Sequence, residues 1–319
     1  MTNTISPVTD TGTQGPHAPR LTGVVPVLPT PFTPAGDIDT PSFDRILDHL
    51  IGLGVPGVML PGFASEFYKL DEAEKVSQGR RAIARTSGTG TVSVLAVHGH
   101  ATRHAIGEAR RWIDLGADWI NLLPPQYMSP QPDALADHCA AVLDAVSGTP
   151  VILQYAPTSG AGLSPDHIHR LTAEHRNLAA VKVEARPPYR FIDALQQAEC
   201  PVPAFAGTGG LYLVESLRLG ACGVQPGSGF VEIYQAILKA WTAGREQEAD
   251  DLYARLLTYL VGWANSQESM VAIEKRIAHR RGLLDHPDCR APHQTPHTVE
   301  DTAIERFLAE FHPYLRGTS

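Results

Sequence analysis

Nowhere in its 319 residues does this chain hold an apolar run as long as a membrane span. Cysteine is sparse. Cys139, Cys200, Cys222 and Cys289 lie far apart with no Cys-x-x-Cys pair, which argues against a disulfide framework or a zinc cluster and fits free thiols in a cytoplasmic protein. Positive charge is in deficit: 26 Lys and Arg against 34 Asp and Glu leave a net charge of -8, so neither nucleic acid nor an anionic membrane is expected as a partner. The 14 histidines include no His-Glu-x-x-His or comparable spacing, so no metal site is expected, and no cofactor motif is present. Residues 1–20 are rich in Thr, Pro and Gly without an apolar core, and read as a disordered tail and not a signal peptide. Lysine is the scarcest charged residue, five against 21 arginines.

One of the five is out of place. Leu178-Ala-Ala-Val-Lys-Val-Glu184 is an apolar strand with Lys182 in its middle, whereas Lys69, Lys75, Lys239 and Lys275 fall in polar, helix-like sequence. Burying an ammonium is expensive, and desolvation favours the neutral amine. A neutral amine is a nucleophile able to form a Schiff base with a carbonyl. The plainer reading is a buried ion pair with Glu184, two residues on and on the same strand face.

The rest of the chain repeats one unit. Leu53-Gly54, Leu115-Gly116 and Leu219-Gly220 each end a helical pattern with a glycine C-cap and lead into an apolar strand. Strands are expected near 23–28, 56–61, 91–97, 118–123, 150–155, 178–184, 203–206 and 222–226. Helices are expected near 42–53, 71–86, 101–115, 131–146, 164–175, 188–198 and 210–219, with an eighth from Val231. Eight such repeats predict a (β/α)8 TIM barrel over residues 21–242. A doubly wound sheet would need a glycine fingerprint after its first strand, and Val27-Leu-Pro-Thr-Pro-Phe32 has none. From Ala243 the strands stop, and 246–265, 268–281 and 298–311 read as helices of a C-terminal helical region, 243–319.

Active sites of such barrels lie at the C-terminal ends of the strands. Those ends carry Gly62-Phe-Ala-Ser-Glu66, His98-Gly-His100, Pro124-Pro-Gln-Tyr-Met128, Gln154-Tyr-Ala-Pro157, Gly207-Thr-Gly-Gly210 and Pro226-Gly-Ser-Gly229. An amine, a phenol and exposed backbone N–H groups are what a carbonyl-dependent aldolase needs. Each also has a plainer reading: the glycines as turn residues, Tyr127 and Tyr155 as rim aromatics, His98 and His100 as rim residues, and Glu66 as a helix cap.

Taken in order, these segments resemble the dihydrodipicolinate synthase/N-acetylneuraminate lyase family over roughly residues 20–315. The resemblance rests on Pro29-Thr-Pro-Phe32, Gly62-x-x-x-Glu66, the Pro-x-x-Tyr-x-x-Pro segment at 124–130 and Val181-Lys182. It implies a (β/α)8 barrel with a helical extension, Lys182 as the Schiff-base lysine, an unphosphorylated 2-oxo acid as substrate, and a homodimer or homotetramer. The family's turn after the second strand reads Gly-Thr/Ser-Thr-Gly-Glu. Here Phe63, Ala64 and Ser65 stand in its middle, leaving backbone N–H groups to hold a carboxylate. The family's proton-transferring tyrosine falls, by ungapped counting from Pro157 and from Lys182, on Gln154. Either a bulge brings Tyr155 there instead, or Gln154 occupies the position and water or Tyr127 moves the protons; Tyr155 is the expected proton carrier, because an amide is no general acid.

The expectation is thus a lyase on a 2-oxo acid, catalysing aldol cleavage, condensation or dehydration of a 2-keto-3-deoxy acid. Lys182 and Tyr155 are the expected catalytic residues. Phe63, Ala64, Ser65, Tyr127, Gln154, Gly207, Gly227 and Ser228 are expected to bind substrate. Two alternatives remain: a phosphorylated substrate held by the last two glycine turns, or a non-catalytic barrel that binds a 2-oxo acid.

Overall fold

The computed structural model describes residues 20–126, 128, 130–157, 162–197 and 202–315. The expected tail lies outside them except for Arg20, and so do Tyr127 and Cys200. Eight strands are present: β1 (Gly23–Val24), β2 (Gly57–Leu60), β3 (Val92–Val97), β4 (Trp119–Leu122), β5 (Val151–Tyr155), β6 (Leu178–Val183), β7 (Ala204–Ala206) and β8 (Gly223–Val224). All pair in parallel in the order β1-β8-β7-β6-β5-β4-β3-β2. Val27 bridges to both Met59 and Gly227, bringing the two ends of the sheet together into a barrel.

Between the strands run α1 (Thr40–Gly52), α2 (Glu72–Thr86), α3 (Thr102–Asp114), α4 (Pro132–Ala145), α5 (Pro165–Glu174), α6 (Pro188–Gln196) and α7 (Leu213–Arg218). After β8 come α8 (Val231–Thr242), α9 (Glu246–Trp263), α10 (Gln267–Arg280) and α11 (Thr298–Phe311). The starts are encoded locally. Asp71 and Ser164 accept from the backbone N–H three residues on, and prolines open α4, α5 and α6. The stops are too: Gly54, Gly116 and Gly220 all have positive φ (67°, 96° and 89°), the left-handed region that costs glycine nothing.

Strand alternation divides the core in two. Val25, Val27, Met59, Val94, Ala96, Trp119, Ile152, Ala180 and Phe205 fill the barrel interior. Their neighbours, such as Leu95, Ile120, Leu153, Val181 and Ala206, pack outward against the helices. Moving two residues along from Trp119, Ile152 and Ala180 gives Asn121, Gln154 and Lys182, so the interior turns polar toward the strands' C-terminal ends.

Candidate active site

Lys182 is 3% exposed, and Glu184 places Oε1 3.2 Å from its Nζ. The Glu184 carboxylate is itself fixed. Its Oε2 accepts from Gln154 Nε2 at 2.6 Å, and Gln154 Oε1 accepts in turn from Asn121 Nδ2 at 2.8 Å. The line Asn121–Gln154–Glu184–Lys182 crosses β4, β5 and β6 because these residues share an inward-facing row. Gly207 makes room for it: a Cβ there would lie 2.3 Å from Glu184 Cγ.

These groups open into a cavity of about 440 Å3 at the barrel mouth. Its wall includes Val27, Phe63, Ala64, Lys182, Glu184, Arg186, Thr208, Gln225 and Gly227, closed over by Gln267, Met270 and Glu274 of α10. Several polar groups on this wall have no partner among the described residues. Both side-chain polar atoms of Gln225, which is 2% exposed, are unpaired, as is Thr208 Oγ1. Thr208 also holds φ at 52°, a left-handed conformation that a β-branched residue adopts only at a cost. Burial pushes the Glu274 carboxyl up to about 8, so it is mostly protonated at neutral pH.

Phe63, Ala64, Gly227 and Lys182 therefore stand where expected, on the cavity wall. Gln154 is buried directly behind, paired in register with Lys182. Four expectations need correcting. Tyr155 is not in the site. The only irregularity between β5 and β6 falls at Val151/Ile152, so no bulge rescues the register, and Tyr155 pairs with Val183 on the outward face. Its ring stacks on Phe191 of α6 at 4.1 Å, and burial raises its phenol. Ser65 is buried away from the cavity, with its hydroxyl donating to Leu28 O. Ser228 donates to Val27 O at 2.7 Å and lines only a small neighbouring cavity. Gly207 supports Glu184 and does not line the wall. Tyr127 lies outside the described residues.

Lys182 also turns out not to be the only buried lysine. Lys275, expected in a polar helix, is 1% exposed and paired with Glu66, which is fully buried. Glu66 accepts as well from Lys69 and from the backbone N–H of Arg290, so it ties the loop after β2 to the C-terminal region instead of capping a helix. Lys275 donates to Asp288 O and lies 4.4 Å from the Phe32 ring centre. It is enclosed on all these sides, whereas Lys182 faces open space. Glu184, Gln225 and Glu274 were not among the expected site residues. A polar residue ending an apolar strand was the available signal for Gln225; Glu274 had none, since it arrives on α10.

Residues 20–310 match the dihydrodipicolinate synthetase family. An L-2-keto-3-deoxyarabonate dehydratase of Azospirillum brasilense is 29% identical, covering 90% of this chain and 93% of that protein. A probable mitochondrial 4-hydroxy-2-oxoglutarate aldolase of Emericella nidulans is 26% identical over 92% of this chain and 96% of its own length. Among solved structures, a dihydrodipicolinate synthase from Rhodopseudomonas palustris superposes with a TM-score of 0.83 at 24% identity, covering 90% of this chain and 97% of that one.

Proposed function

This chain belongs to the dihydrodipicolinate synthetase family and is a lyase; from that premise we propose that it forms a Schiff base between Lys182 and a 2-oxo acid, and that it dehydrates a 2-keto-3-deoxy sugar acid. The observation that carries the reading is the Lys182–Glu184 pair, 3.2 Å apart at the floor of the cavity. The amine attacks C2 of the substrate, and loss of water leaves an iminium. Glu184 accepts the proton from C3, and the C–H electron pair enters the C2–C3 bond as an enamine. The enamine expels the C4 hydroxyl, which leaves as water with the proton that Glu184 carries. Hydrolysis of the unsaturated iminium frees Lys182.

Glu184 is assigned the proton transfers because Tyr155 faces away and Gln154 has no proton to give at useful pKa. Gln154 and Asn121 hold the carboxylate in place. The similarity to a dehydratase of a 2-keto-3-deoxy acid supports the same reaction class. The similarity to a 4-hydroxy-2-oxoglutarate aldolase favours a second reading, in which the same iminium receives electrons from C3–C4 cleavage. A phosphorylated substrate is disfavoured because the Glu274 carboxyl occupies the space above Gly227, where a phosphate on the last glycine turn would sit. A cytoplasmic homodimer or homotetramer remains part of the proposal.

The test is borohydride reduction with pyruvate, the smallest 2-oxo acid, followed by peptide mass spectrometry. A reduced adduct on the Lys182 peptide, absent in Lys182→Ala, is the expected result. Its absence with pyruvate and with longer 2-oxo acids would return the non-catalytic alternative. Product analysis then separates the readings: an intact carbon chain short of one water for dehydration, two carbonyl fragments for cleavage.

A further inference from the structure

Two polar side chains on the β8 side of the cavity face Lys182 and Glu184 with nothing to bind. Gln225, two residues beyond Gly223 on the inward row, is buried with its amide nitrogen and oxygen both unpaired. Glu274 reaches in from α10 and is 8% exposed, and no described residue hydrogen-bonds its carboxyl. The fold makes space for that carboxyl specifically. A Cβ on Gly227 would fall 1.4 Å from Glu274 Oε2, so only glycine lets it lie against the turn. Ala64 lines the same main cavity and the same small side cavity as Glu274, and brings no hydroxyl of its own.

Leaving such groups unpaired is costly unless a ligand pairs them. The rest of α10 shows that this is no general tolerance of buried charge. Lys275, the next residue, has Glu66, Asp288 O and the Phe32 ring around it. Beside Glu274 lie Gly227 and Gly229 of the turn, Ser228, whose hydroxyl is donated to Val27 O at 2.7 Å, and Tyr234 of α8, whose hydroxyl is donated to Gly209 O at 2.6 Å.

We propose that Glu274 is held as a neutral carboxylic acid and, together with the Gln225 amide, donates hydrogen bonds to the carboxylate of the 2-oxo acid whose carbonyl condenses with Lys182. A 2-oxo acid always carries a carboxylate one bond from the condensing carbon, so the cavity that holds Lys182 must also hold that anion. A protonated acid gives it a donor; an ionised one would repel it. Burial keeps the proton on, with its loss centred near pH 8. The other titratable or charged groups facing this space are Tyr234 from α8, Lys182 and Glu184 from β6, and Arg186 at the mouth, while Lys275 is turned into its own pair.

The inference rests on the Schiff-base reading, and one experiment separates the two. Half-saturating pyruvate for borohydride-trapped adduct is measured on the full chain for wild type, Glu274→Gln, Glu274→Leu and Gln225→Leu, at pH 7 and pH 9, with melting temperatures as the folding check. Wild type that traps neither pyruvate nor longer 2-oxo acids refutes the Schiff-base reading itself. With trapping in hand, Glu274→Leu should need about tenfold more pyruvate at pH 7, the usual worth of a hydrogen bond to a charged group, and Gln225→Leu should shift the same way. Glu274→Gln keeps a donor of the same shape and should stay within about threefold of wild type at pH 7. At pH 9 wild type should lose pyruvate affinity relative to Glu274→Gln, whose amide does not ionise. Unchanged half-saturation in Glu274→Leu, or a Glu274→Gln that folds normally but binds as poorly as Glu274→Leu, would overturn the proposal. Pyruvate has no distal hydroxyl, so a defect confined to longer substrates would overturn it as well.

Discussion

Glu184 Oε1 lies 3.2 Å from Lys182 Nζ, two residues along and just past the end of β6. A lysine and a carboxylate so placed form either a structural ion pair or an amine with its own base. Lys275 and Glu66 supply the comparison within the same molecule. That pair is sealed by a cation-π contact, a carbonyl and two further donors, whereas Lys182 and Glu184 share a wall with open space.

Replacing Glu184 by Gln should separate condensation from proton transfer. The expected outcome is that borohydride still traps pyruvate on Lys182, while turnover of a 2-keto-3-deoxy acid falls by about 10²- to 10⁴-fold, the range for losing a general acid–base group. Steady-state kinetics beside adduct mass spectrometry measures both. Turnover near wild type would remove Glu184 from the mechanism.

Tyr155→Phe tests the outward placement. The phenol stacks on Phe191 behind the sheet, so losing its hydroxyl should change kcat by less than about threefold, far short of the effect of losing a proton carrier. A loss of two or more orders of magnitude, with an unchanged melting temperature, would return the tyrosine to the reaction.

The buried pair of the C-terminal region makes a stability prediction. Lys275→Met leaves Glu66 in a fully buried position with Lys69, the Arg290 N–H and the Cys289 thiol for support. Removing one partner of such a pair costs about 3–5 kcal/mol, with Lys69 pulling the figure toward the lower end. Denaturant unfolding should show that loss. A variant as stable as wild type would mean the pair contributes little beyond its own desolvation.

Glu274 sets a pH dependence on folding. Its folded pKa of about 8 lies above the usual 4.5, so between those values the folded chain keeps a proton that the unfolded chain releases. Stability must then fall as pH rises through that window and level off above about 8. Glu274→Gln removes this loss. Its melting temperature should gain on wild type steadily from pH 5 to pH 8 and run parallel above. Parallel curves throughout would mean that the carboxyl is not held neutral by the fold.

Much of the barrel was legible because its signals are local. Glycine after leucine at 54, 116 and 220 stops helices by backbone geometry alone, and each of the eight strands falls within its expected stretch. Lys182 stood out because five apolar neighbours make an ammonium conspicuous. The register of β5 was half legible. Counting from Pro157 placed Gln154 inward, and only a bulge could have reversed it. Strand pairing decided that point, since Gln154 aligns with Lys182 and Tyr155 with Val183.

Residue alternation and the glycine and proline stops are local signals, and they suffice for the eightfold barrel and for the strand that carries the lysine. Only the tertiary structure decided what surrounds that lysine. Glu274 joins Gly227 across 47 positions of chain, and Lys275 joins Glu66 across 209. Neither contact has a local signature, because both depend on α10, a helix that reads as polar in sequence, being drawn over the barrel mouth. Periodicity reports the face a residue occupies; what waits opposite that face depends on how distant elements pack.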